Sequence, residues 1–120
     1  IKLYDREKHK KYCGAYNDRI LENFRRLQED RAQYGYKLMP RVPLIPGITD
    51  TEGNLTAIAD YLASLGVTRT DLLPYNPTWY PKNDKLGIRL DPALQSATGF
   101  QPKEKVDHAR HIFIKRNIEC

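Results

Sequence analysis

The stretch RVPLIPGITD, residues 41–50, begins as an apolar strand and ends as the entry to a helix. Pro43 and Pro46 lack the amide hydrogen that a β-ladder asks for, and the first residue, Arg41, is charged. The stretch LLPYN, residues 72–76, repeats the arrangement about 30 residues later, the spacing of a βαβ unit. Both read as parallel strands whose carboxyl ends open onto a ligand site, the prolines stopping the ladder and turning the chain outward.

Around Pro40, Pro43 and Pro46 the first strand is expected over residues 38–45, irregular in its middle or at its end. TDTE, residues 49–52, then reads as a capping box, with Thr49 as N-cap, Glu52 three positions on and Asp50 competing as cap. Leu55, Ile58, Ala59, Leu62 and Leu65 form the apolar stripe of a helix that Gly66 closes. Strand, helix and strand predict a parallel pair with a right-handed crossover. Upstream, residues 14–35 carry Ile20, Leu21, Phe24 and Leu27 on one helical face, with Asn17 as N-cap and Gly35 at the end. Downstream, a polar loop over 77–99 leads to a last helix, 102–117, that packs Val106, Ala109, Ile112 and Phe113.

At 120 residues, 40% of them hydrophobic and 29% charged, the chain has the length of a single domain, 1–120, of ordinary globular composition. It has no apolar run of membrane-spanning length and no leader at its start, so the expected location is the cytoplasm, without a membrane partner. The net charge of +5 collects at the two ends, with acidic residues mixed in. Nucleic-acid binding through those ends would weaken strongly with salt, but no basic stripe with interleaved aromatics supports it, and solvated charged faces are the simpler reading. Cys13 and Cys120 make no metal-ligand spacing and read as reduced thiols.

At the strand ends, Arg41 is expected to point into the space between strands, buried, and so to need an anionic partner from the protein or a ligand. His9 with Cys13 reads as a local turn or helix-entry feature, since nothing nearby completes a metal site. His108 and His111 read as exposed helix residues. Trp79, Tyr75 and Tyr80 form either a docking surface for a peptide or the packing of a loop.

IKLYDREKHKKYCGAYNDRILEN (1–23), RVPLIPGITDTEGNL (41–55) and LLPYN followed by Lys82, Leu86 and Gly87 resemble, in order and spacing, the C-terminal half of the glycyl-radical-enzyme activases. These are radical S-adenosylmethionine (SAM) enzymes of the pyruvate formate-lyase activating enzyme family. The resemblance implies an α/β fold, a partial (β/α) barrel of parallel βαβ units. It also implies an activity in which SAM, cleaved reductively at a [4Fe-4S] cluster, yields a 5′-deoxyadenosyl radical that takes hydrogen from a backbone glycine of a partner. The partners are then the glycine loop of a glycyl-radical enzyme and an external electron donor.

By position, Lys2, Arg41 and Asn76 match the family's SAM-site residues. Asn76 stands where a histidine is usual, Trp79 where glycine is, and Asn83 where tyrosine is. The family's CxxxCxxC run and its glycine–glycine–glutamate stretch do not occur here, so the chain reads as a fragment without catalytic or metal-ligating residues of its own. Such a fragment is expected to be inactive alone and to self-associate through its inner sheet face or free edge. The alternative is a small basic α/β binding module without SAM chemistry, which a CxxxCxxC upstream of Ile1 would exclude.

Overall fold

A computed structural model describes residues 1–87 and 99–120, with the backbone alone for residues 80, 81 and 84. Helices α1 (Arg6–Cys13) and α2 (Asp18–Tyr34) precede strand β1 (Arg41–Leu44), and α3 (Glu52–Ser64) leads to strand β2 (Asp71–Pro74). A 3-10 turn (Pro77–Trp79), α4 (Tyr80–Lys85) and α5 (Lys103–Ile114) follow. The strands pair in parallel, Arg41 opposite Asp71 and Leu44 opposite Pro74, as the strand–helix–strand pattern predicts.

The prolines do not stop this ladder. Polar groups along a strand alternate between its two sides. Pro40 O receives Asp71 N at 3.0 Å, so residues 40, 42 and 44 address β2, while Arg41 O faces Ile1 N at 2.7 Å on the other side. Pro43 shares the Arg41 side, where β2 asks for no donor, and its carbonyl takes the Thr49 hydroxyl at 2.5 Å. Pro74 is placed likewise. Asp71 N faces β1, whereas Thr70 N reaches Glu119 O at 2.9 Å on the far side, and position 74 falls on that far side. Residues 1–3, β1, β2 and residues 118–120 thus lie side by side in chain order.

β1 is four residues rather than the eight expected, because the chain curls at once into a turn in which Ile48, Thr49 and Asp50 all donate to Ile45 O. Pro46 opens that turn and Gly47, at φ +71°, takes the left-handed position that suits glycine. Thr49 is not the cap of α3. Its hydroxyl accepts from Ile45 N at 2.6 Å and holds the turn, while Thr51 occupies the N-cap position without a side-chain bond. Asn17 does precede α2, but its amide donates to Leu3 O and Tyr4 O instead of capping.

The expected opening segment contains α1, capped by Asp5, whose carboxylate takes Lys8 N at 2.7 Å, and closed by Gly14 in the left-handed conformation. The expected polar loop carries the 3-10 turn and α4 in its first part, and residues 88–98 of it lie outside the described residues.

The core lies on one face of the sheet. Val42 and Leu44 pack with Leu55, Ile58, Ala59 and Leu62 of α3 and with Ala109, Ile112 and Phe113 of α5. α3 and α5 bury the stripes their periodicity foretold. α2 joins through Phe24 and through Gln28, which donates to Leu65 O, while Tyr61 of α3 donates to Leu21 O. Ile20 and Leu27, expected on the packed face of α2, remain 48% and 46% exposed. No described helix is long and apolar enough to cross a membrane.

Candidate functional site

The face of the sheet opposite the core carries Arg41 and Pro43 from β1 and Asp71 and Leu73 from β2, the paired residues of the register sharing a side. The Arg41 side chain is 69% exposed, with Asp71 Oδ2 3.6 Å from its Nε. The expected burial of Arg41 is therefore wrong, although the strand's alternation does turn it away from the helices. A buried arginine would have required a full set of acceptors, and this one sits in water beside a single carboxylate.

Asn76 lies two residues beyond β2 and is exposed, its Oδ1 accepting from Thr78 N at 3.0 Å. Lys2 is exposed on the segment flanking β1, and its carbonyl takes Asn54 Nδ2 at 3.0 Å. Arg41 pairs with Asp71, so Arg41 and Asn76 stand five residues apart along the strand direction, about 16 Å of extended chain. These three residues do not share one of the described pockets; they are spread along the sheet and the turn beyond β2. A pocket of ≈ 390 Å³ lies at the Lys2 end, bordered also by His9, Cys13 and Asn17.

The strand-end turns are knotted together through Gln101, a residue that the sequence did not mark. Asp50 Oδ1 accepts from Gly47 N at 2.7 Å, and Asp50 Oδ2 accepts from Gln101 Nε2 at 2.9 Å. Gln101 N donates to Tyr75 O at 3.2 Å, so this one residue bridges the turns that follow β1 and β2. Nothing in its neighbourhood announces it except Pro102, which marks the entry to the last helix. Tyr75 is buried, its hydroxyl accepting from Trp79 Nε1 at 2.8 Å with the rings edge to face, which is the loop-packing alternative for this pair.

His9 is buried with Nδ1 2.7 Å from Ala15 O, tying α1 to the α2 entry, the local role expected of it. His108 and His111 are exposed on α5. Cys13 is an exposed free thiol, and Cys120 is a half-buried one whose pKa burial pushes up. Among the described residues no group of three or more His, Cys, Asp or Glu could hold a metal ion.

No protein-family model matches the sequence. The 4-hydroxyphenylacetate decarboxylase activating enzyme of Clostridioides difficile is 32% identical over 120 residues, which is all of this chain and 36% of that protein. The trans-4-hydroxy-L-proline dehydratase activating enzyme of the same organism is 36% identical over 121 residues, covering 98% of the chain and 37% of that protein. A crystal structure of a domain of pyruvate-formate lyase-activating enzyme from Bacteroides vulgatus superposes with a TM-score of 0.70. It covers 99% of the chain and 61% of that domain at 24% identity, which shows a shared mixed α/β fold. Matched from end to end, yet spanning little more than a third of the curated relatives, the chain has glycyl-radical-enzyme activating enzymes as its homologues.

Proposed function

We propose that residues 1–120 are a single domain, the C-terminal part of a cytoplasmic activating enzyme that installs a glycyl radical on a partner enzyme. The observation that carries this is the end-to-end match to activases of two different glycyl-radical reactions, a decarboxylation and a dehydration. What such proteins share is the activating chemistry. The side-by-side, chain-order arrangement of residues 1–3, β1, β2 and 118–120 supports reading the domain as part of a (β/α) barrel.

The donors on the open face fit SAM, an elongated ligand with a carboxylate, an amine and a nucleoside. Among the described residues Arg41 is engaged only by an exposed carboxylate, a pairing worth little in water, and its guanidinium can turn to a ligand anion. With Oδ1 of Asn76 taken by Thr78 N, its amide N–H groups have no acceptor among the described residues and can donate to a ligand. Lys2 adds a charge at the far end of the face. When bound, SAM supplies the abstraction of hydrogen from a backbone glycine of the partner, with the electron delivered by an external donor through a [4Fe-4S] cluster.

The residues present do not fit the cluster. Two cysteines in the whole sequence cannot furnish three thiolates, and cluster ligation falls to residues outside these 120. The chain's own part is to bind and orient SAM and to offer docking surface to the partner. Alone, it self-associates through the uncovered sheet face, where Leu73 stays exposed, or through a free sheet edge.

The test is made on the full-length protein, reconstituted anaerobically with iron and sulfide. SAM binding, and a glycyl radical seen by spin resonance on the partner enzyme, are the expected results. Failure to bind SAM, with the cluster in place, would reject the reading in favour of a binding module.

A further inference from the structure

The carboxylate of Asp50 accepts and never donates, so the Gln101 amide is held with its NH₂ toward Asp50 and its carbonyl turned the other way. The backbone is held as well, through Gln101 N to Tyr75 O. Gln101 Oε1 is nevertheless buried and has no hydrogen-bond partner among the described residues. A buried carbonyl left without a donor is costly, and such atoms in folded proteins ask for a reason. This one lies at the joint between the two strand-end turns, where open α/β sheets receive their ligands.

We infer that Gln101 Oε1 accepts a hydrogen bond from an N–H or O–H group of the bound ligand, and that Asp50 is the positioning residue that aims it. The inference rests on the SAM reading above, since SAM offers such donors on both its amino-acid half and its nucleoside half. The bond adds directional selection: a group presenting only acceptors at this point is refused.

Asp50→Asn is the decisive variant. Its carbonyl keeps the Gly47 N–H, its amide donates to Gln101 Oε1, and the glutamine amide must turn over and aim its NH₂ at the ligand. The protein's own hydrogen bonds are conserved, so the thermal midpoint holds, while a donor now faces a donor. SAM titrated calorimetrically into the full-length, cluster-loaded protein is expected to bind on the order of tenfold more weakly. Gln101→Met, which removes the acceptor at similar volume, gives a comparable loss. Of methionine and 5′-deoxyadenosine, titrated separately, the one carrying the donor is the one whose binding both variants weaken.

Unchanged SAM affinity in both variants, with Arg41→Ala still weakening it, overturns this inference and leaves the SAM reading intact. Loss of affinity in step with loss of thermal stability in Asp50→Asn assigns the pair a structural role and overturns it too. A wild-type protein that binds no SAM overturns both.

Discussion

On one face of the β1–β2 sheet Val42 and Leu44 are fully buried among the side chains of α3 and α5, while on the other Arg41 is 69% and Leu73 42% exposed. The two faces are built from alternate residues of the same short strands. The covered face has every neighbour it needs within 120 residues. Among the described residues no helix covers the open face, where Arg41 has only the exposed Asp71 carboxylate beside it. Stability is concentrated on one side, and the proposed binding on the other.

The sharpest way to break this contrast is to remove a side chain from the covered face. Leu44→Ala is expected to cost about 2–5 kcal/mol, because a fully buried leucine leaves a cavity that a four-residue strand can fill only in part. Chemical denaturation checks it, and a loss below about 1 kcal/mol would mean that this face is not the core. Thr49→Val comes next. Its hydroxyl bridges Pro43 O and Ile45 N, and valine leaves both without that partner, for a loss of about 1–3 kcal/mol by the same measurement.

On the open side the expected effects move from stability to association. Leu73→Lys should leave the unfolding free energy within about 0.5 kcal/mol and weaken self-association, followed by light scattering over a dilution series. A wild-type chain that stays monomeric at every concentration would show that the open face is tolerated in water. Arg41→Ala should likewise perturb folding little, under about 0.5 kcal/mol, since its pair with Asp71 is exposed. In the full-length protein the same change should weaken SAM binding more than Lys82→Ala does; Lys82 is exposed on α4 and not on either strand. Equal effects of the two would remove Arg41 from the proposed site.

Much of this contrast was legible in residue order. The stripes of α3 and α5, the glycine closures at Gly35 and Gly66, and the parallel pairing follow from spacing and from backbone freedom, which are local properties. The first helix was missed because its eight residues are mostly charged and present no apolar period, and its signals are only the Asp5 cap and Gly14. The roles of Thr49 and Asn17 were misread for a related reason. A side chain that can cap a helix can equally bond to a distant carbonyl, and distance in space decides between them.

The sequence by itself determined the βαβ unit, the buried faces of α3 and α5 and the kinship to activating enzymes, because hydrophobic period and motif order survive without coordinates. Only the tertiary structure decided that the prolines of both strands fall on the sides where the ladder asks for no donor. It alone set Arg41 in solvent rather than in the core, and brought Gln101, fifty-one residues away in the chain, to Asp50. The physical reason is common to all three. A backbone group's partner, a side chain's solvent and a carboxylate's donor are properties of neighbours in space, and those neighbours are supplied by segments that share no local pattern.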